Sequence, residues 1–296
     1  MPHRADWLAR VAVITTEVVA LIFPVVPAYA QARSAAPVAL VTALAGKAET
    51  QVEGKTVTVS LLSEFPPGAR VRLHRDAKMV LLFYRTAGQA AITGPSLFRV
   101  GDTAAEPLSG NEPVNRPPLA GKNGKPLVIH PAGVTQGAIV IRGVNKPIPA
   151  LSLAGGTTLS VRPTFRWREV EPGFDYQFTL KDNSDAVLFT RTLRGTVVQL
   201  PPDVVLEEGQ RYRWSVFARG SDGTAYGSSY RFVVADVATR ADFENFTPSP
   251  TADASERVAF AVWLEQAGLS DEAASYWQQL ATEGIPPPPK HSDATK

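Results

Sequence analysis

Turn residues cut this chain at intervals of about 8–12 positions, and between the cuts lie short runs with apolar side chains at alternate positions. Period two puts successive side chains on opposite faces of a strand, so each strand must bury one face against a second layer. The 25 prolines and 22 glycines supply the turns. A first unit covers 38–108, with runs at 40–45, 48–52, 57–59, 71–73, 79–84, 89–93 and 97–100. Glu53-Gly54-Lys55, Pro66-Pro67-Gly68, Thr86-Ala87-Gly88 and Gly94-Pro95 punctuate them, which predicts a small β roll or sandwich.

A second unit covers 161–236. Tyr176, Phe178 and Leu180 alternate, Asp182-Asn183-Ser184 turns the chain, and Glu208-Gly209 leads into a late strand carrying Tyr212 and Trp214. Trp167, from an early strand, is expected to pack with that pair in the core of a sandwich. Between the units, 109–160 is rich in proline, glycine and asparagine and reads as a linker with one strand candidate at 137–141.

The periodicity changes in the tail. Val258, Ala259, Val262, Trp263 and Leu264 recur at helical spacing, Gly268 stops the helix, and Ser270 reads as the N-cap of a second one. Asp271 and Glu272 then occupy the first turn, where the helix dipole favours them. The expectation is a helical hairpin over 250–284 and a disordered end over 285–296. The fold class is therefore mainly β: two small β domains with a C-terminal α-hairpin.

Arg4 and Arg10 precede an apolar stretch that ends in Pro27-Ala28-Tyr29-Ala30, with small residues before a cut after Ala30. That order predicts a signal peptide over 1–30, with a cut after Ala32 as a second choice, and a periplasmic or cell-surface location with no transmembrane segment after cleavage; the alternative is an uncleaved anchor, for which a run broken by Glu17 and Pro24 is short. The chain has no cysteine, which removes disulfides, thiolate catalysis and cysteine metal sites. Net charge is +2, unevenly spread. The basic residues of the middle (Arg116, Lys122, Lys125, Arg142, Lys146) are dispersed and lack interleaved aromatics, which argues against a nucleic-acid partner.

The stretch 38–100 resembles the FecR domain. Leu61, Gly68, Val71, Ala77, Val80, Leu82, Gly88, Ile92, Gly94 and Pro95 fall at matching places, with Ala69 where the family usually has aspartate after the glycine. The resemblance implies a periplasmic module, which in the family passes an outer-membrane transport signal to a sigma factor. The 161–235 stretch looks like a fibronectin type III sandwich. The run WLEQAGLSDEAASYWQQL is similar to one tetratricopeptide pair, and a single pair cannot bury a core alone. The hairpin must therefore dock on the sandwich, on itself in a dimer, or on a partner.

No Gly-x-Ser-x-Gly, P-loop or dinucleotide fingerprint is present. The four histidines (His3, His74, His130, His291) show no ligand spacing, so neither a metal nor another cofactor is expected. The carboxylate pairs Glu169/Glu171 and Glu207/Glu208 fall at turns and read as solvated loops rather than a glycosidase pair. Candidate partner-binding residues are Phe260, Trp263, Tyr276 and Trp277 on the hairpin, which otherwise form its seam, and Arg70, Arg72 and Arg75. The expected function is non-catalytic binding or scaffolding in a bacterial envelope, toward an envelope protein or an anionic envelope polymer. A sensory accessory of the FecR type is the alternative. An envelope hydrolase is disfavoured, because no nucleophile, base and orienter can be assembled.

Overall fold

The computed structural model describes residues 35–131 and 146–287. The expected signal peptide, the strand candidate at 137–141 and residues 288–296 of the expected disordered end lie outside them. Within the described residues the protein is mostly β, with its last two helices forming a C-terminal hairpin.

The first unit holds β1 (Ala39–Ala45), β2 (Ala48–Val52), β3 (Lys55–Thr58), β4 (Glu64–Phe65), β5 (Arg70–Leu73), β6 (Lys78–Phe83), β7 (Gln89–Thr93), β8 (Ser96–Val100), β9 (Ala105–Gly110) and β10 (Val114–Arg116). They pair antiparallel into two five-stranded sheets, ordered β10-β7-β6-β1-β4 and β3-β2-β5-β8-β9. Val41, Met79, Leu81 and Phe83 of the first sheet meet Val71, Leu73, Phe98 and Val100 of the second. The β2–β3 turn has positive φ at both Glu53 (50°) and Gly54 (78°), the geometry that matches the twist of a tight hairpin. Gly94 is required by space: a Cβ there would lie 1.8 Å from the carbonyl oxygen of His74.

The second unit holds β11 (Thr157–Thr158), β12 (Thr164–Arg166), β13 (Asp175–Lys181), β14 (Val187–Arg194), β15 (Val197–Gln199), β16 (Arg211–Arg219) and β17 (Ala225–Val234). A five-stranded sheet, β11-β17-β16-β13-β14, faces the pair β12-β15. Phe165, Trp167, Phe178, Trp214 and Phe232 fill the space between them. Trp167 and Trp214 meet with ring centroids 6.3 Å apart, and Trp167 stacks on Phe178 at 6.2 Å. Tyr212 turns onto Phe232 instead, at 5.7 Å. Its hydroxyl accepts the Glu207 N–H at 2.8 Å, which pins the start of β16 to the preceding corner as a tyrosine corner does.

Three expectations are corrected. The stretch 109–160 is not a linker where it is described: β10 edges the first sheet, Leu119, Leu127 and Ile129 are buried, and Ile148 and Leu153 enter the second core. The Trp214 indole N–H donates to the Leu153 carbonyl at 2.9 Å. Proline and glycine signal that a regular ladder is missing, not that packing is missing. The second correction is an additional helix, α1 (Val237–Phe246), which precedes α2 (Ala254–Gln266) and α3 (Ser270–Thr282). Asp236 caps α1 by accepting the Thr239 N–H at 2.8 Å, and Asp253 caps α2 through the Glu256 N–H at 2.9 Å. Third, Ser270 is the first residue of α3 rather than its cap; Leu269 holds that place and offers no side-chain acceptor.

The helices cover the outer face of the first sheet. Leu40, Leu82 and Tyr84 of that face meet Phe246, Ala259, Phe260 and Leu264. This is why β6 is buried on both sides, and why its sequence runs apolar without alternation. At the centre of this contact Thr42 and Ser255 hydroxyls lie 2.6 Å apart, and Ser255 donates on to Gln89 Oε1 at 3.0 Å. All three residues are buried. Ser255→Ala leaves the Gln89 carbonyl without its donor. We expect a loss of about 1–3 kcal/mol in urea unfolding, with the helix content of the folded protein unchanged by circular dichroism.

Candidate functional site

The helical hairpin grips both β units. The Gly268 carbonyl, in the α2–α3 turn, accepts the Thr157 N–H at 2.7 Å. Asp271 accepts the Leu153 N–H at 3.2 Å and Glu272 the Leu159 N–H at 3.1 Å. Gly156 makes the approach feasible, since a Cβ there would lie 2.4 Å from the Gly268 oxygen. On the other side, α1 is held through Lys125, which pairs with Asp242 at 2.6 Å, and Lys122, which donates to the Glu244 carbonyl at 2.8 Å, while Arg116 meets Asp253, the cap of α2, at 2.9 Å. Arg240 of α1 reaches Glu208 of the second unit at 2.7 Å. Of the three docks open to a lone helical pair, the chain itself provides the one observed: the apolar face of the pair lies on the first unit's sheet, and the second unit is reached through the α2–α3 turn at 153–159.

Burial pushes the carboxyls of Asp271 and Glu272 above the usual carboxylate range, against the opposing pull of their backbone N–H donors. Glu265, which accepts the Trp277 indole N–H at 2.9 Å, is raised for the same reason. A carboxyl raised in the folded state keeps its proton where the unfolded chain has lost it. Its contribution therefore favours folding at low pH and declines as pH rises from the ordinary carboxylate range toward the raised value. Glu272→Gln keeps an acceptor for Leu159 and removes the buried charge. Its urea midpoint at neutral pH is expected to equal or exceed that of the wild type, and its stability to vary less with pH between about 4.3, the ordinary glutamate value, and 7. A midpoint clearly lower at pH 7 would show that the charge itself holds the clasp.

The hairpin aromatics form its seam. Phe260 and Trp277 are buried, and Trp263 and Tyr276 are half-buried. Trp263 packs edge-on against Phe246 at 5.2 Å and stacks on Phe260 at 5.8 Å; Tyr276 meets Phe260 edge-on at 5.1 Å. Arg257 closes the open end of the pair by donating to Glu283. As docking candidates, Phe260 and Trp277 have no surface to offer, and Trp263 and Tyr276 offer part of a ring each.

The arginines differ. Arg70 and Arg72 are exposed on the open outer face of the second sheet, on alternate positions of β5 whose other side chains, Val71 and Leu73, are core. Arg75 is exposed in the turn that follows. Arg70 lies directly opposite Arg99 of β8. Like charges in that relation repel, yet Arg99 alone is neutralised, its Nε donating to Glu106 at 2.8 Å. Glu49 lies opposite Arg72 across β2–β5 but is engaged by Lys47 at 2.7 Å and His74 at 3.0 Å, which together hold its carboxyl low. Among the described residues Arg70 and Arg72 have no ion-pair partner.

A second basic area escapes the sequence reading. On the outer face of the second unit's larger sheet, Lys181, Arg213 and Arg231 stand in register across β13, β16 and β17. The signal was the alternation in Arg211-Tyr212-Arg213-Trp214, where core aromatics force the arginines outward. The remaining candidate chemistry is engaged in structure. His130 exchanges backbone hydrogen bonds with the Gln266 amide, Glu171 accepts the Tyr226 hydroxyl at 3.0 Å, and Glu208 holds Arg240. Among the described residues no three His, Asp or Glu converge as metal ligands, and no helix is long and apolar enough to cross a membrane.

No protein-family model and no curated protein matches the chain. Among solved structures, CopC from Methylosinus trichosporium OB3b is similar over 32% of this chain and 87% of its own, at 17% identity and a TM-score of 0.21. A 1.5-MDa bacterial ice-binding adhesin, from a study of host cell surface retention, is similar over 66% of this chain at 11% identity and a TM-score of 0.21. This chain spans 54% of that adhesin structure's length. Likeness at this level leaves the functional reading to the chain's own residues.

Proposed function

We propose that this protein is a non-catalytic binding protein of a bacterial envelope, exported to the periplasm or surface, that recognises an anionic envelope polymer. The observation that carries the reading is the pair Arg70 and Arg72. They project from an open sheet face without carboxylate partners among the described residues, beside an Arg99 that already has one. Guanidinium groups so placed match carboxylate or phosphate groups by geometry as well as charge. Export rests on the order of charge, apolar run and small residues in 1–30, and the FecR resemblance of 38–100 supports the same compartment.

Co-sedimentation of the purified protein with isolated cell-wall sacculi tests this. We expect protein in the pellet at low salt and release as salt rises, with Arg70→Gln/Arg72→Gln largely left in the supernatant. Absence of pelleting at every salt concentration would sink the polymer reading and turn the search to a protein partner.

A further inference from the structure

The turn that joins β13 and β14 closes over the outer face of β16 and β17 and leaves a cleft of about 540 Å³. Arg211, Arg213 and Arg231 of the sheet and Asp182, Asn183 and Asp185 of the turn are among the residues that line it. Its volume lies in the range of small-molecule sites.

Its electrostatics are unbalanced. Arg213 faces Lys181 on one flank and Arg231 on the other, three cations in a row across three strands. Arg211 is two residues along the same face, opposite Val233. Directly opposed like charges cost stability. Asp185 pairs with Arg213 and so offsets part of that cost. Asp182 does not: its Oδ1 accepts the Ser184 N–H at 2.8 Å and the Ala186 N–H at 3.0 Å, and the Ser184 hydroxyl, which holds its carboxyl low, adds a third bond. Arg211, Arg231 and Lys181 therefore have no ion-pair partner among the described residues. The lining also includes Asp182 and Asn183, whose carboxylate and carboxamide are suited to hydroxyl donors and acceptors.

We infer that this cleft is a binding site for an acidic saccharide unit, with its carboxylate or phosphate on Arg211 and Arg231 and its hydroxyls on Asp182 and Asn183. The inference deepens the envelope-polymer reading and rests on it for the source of the ligand. A second arginine site on the same compact body as Arg70 and Arg72 would let one polymer chain be held at two points, which raises avidity without any new contact.

The test is calorimetric titration of the purified protein with a galacturonic acid hexamer, with maltohexaose as the neutral control. The acidic hexamer is expected to bind and the neutral one not. Arg211→Gln/Arg231→Gln should weaken binding at least about tenfold, as loss of two charge-assisted contacts requires. Asp182→Asn should weaken it by a smaller factor, and Arg85→Gln/Arg168→Gln, which removes two exposed charges outside both arginine sites, should keep it within about twofold. Melting temperatures within a few degrees of wild type confirm that the variants are folded. Equal affinity of the cleft variant and the wild type, no binding of the acidic hexamer, or equal binding of maltohexaose would each overturn the site. The two readings fail separately. Hexamer binding that depends on Arg211 and Arg231, in a protein that sacculi do not pellet, keeps the cleft and removes the wall polymer. Sacculus binding that depends on Arg70 and Arg72, with hexamer affinity untouched by the cleft variant, does the reverse.

Discussion

The structure depends on one apolar surface, the outer face of the first sheet. Leu40, Leu82 and Tyr84 point away from the sandwich core and are covered by Leu119, Leu127, Ile129 and the helices. The larger part of that cover is α1 and α2, and the hydrophobic effect that seats those helices also fixes the rest. Once α2 lies on β1 and β6, the α2–α3 turn is delivered to 153–159, and Gly268, Asp271 and Glu272 find the N–H groups of Thr157, Leu153 and Leu159. The segment so held in turn caps the second core, where the Leu153 carbonyl takes the Trp214 indole proton. Two β units that share no sheet thereby become one compact body.

That body separates its surfaces by task. The faces under the helices are apolar and closed, with a short chain of hydroxyls and an amide, Thr42, Ser255 and Gln89, setting register inside them. The uncovered sheet faces carry arginine. In both units an arginine stands directly across a strand pair from another, Arg70 from Arg99 and Arg213 from Arg231, and in both only one of the two has a carboxylate. A sheet selected for stability alone would alternate signs across such pairs. The shared imbalance supports the proposal of an anionic ligand, and the packing of both units into one compact body is compatible with a ligand long enough to meet both.

The polar chemistry elsewhere is turned inward. Tyr84 donates to Glu64, and burial together with that carboxylate pushes its hydroxyl far up; Trp277 donates to Glu265. Arg257 and Glu283 bind each other across the mouth of the hairpin. These groups hold elements together.

Strand alternation, turn residues and helical spacing, all local quantities, determined the mainly β class, most strands of the first unit, the tryptophan core of the second and the helical pair of the tail. The same alternation placed Arg70 and Arg72 on an exposed face, because Val71 and Leu73 had to point inward. What only the tertiary structure decided was non-local. The segment 109–160 looked loose because its apolar residues follow no period, yet Leu119, Leu127, Ile148 and Leu153 each fill a gap shaped by other elements. The fate of Phe260 and Trp277 depended on which surface the hairpin would cover. The row Lys181, Arg213 and Arg231 exists only through strand register, which brings together residues up to fifty positions apart and which no single segment can specify.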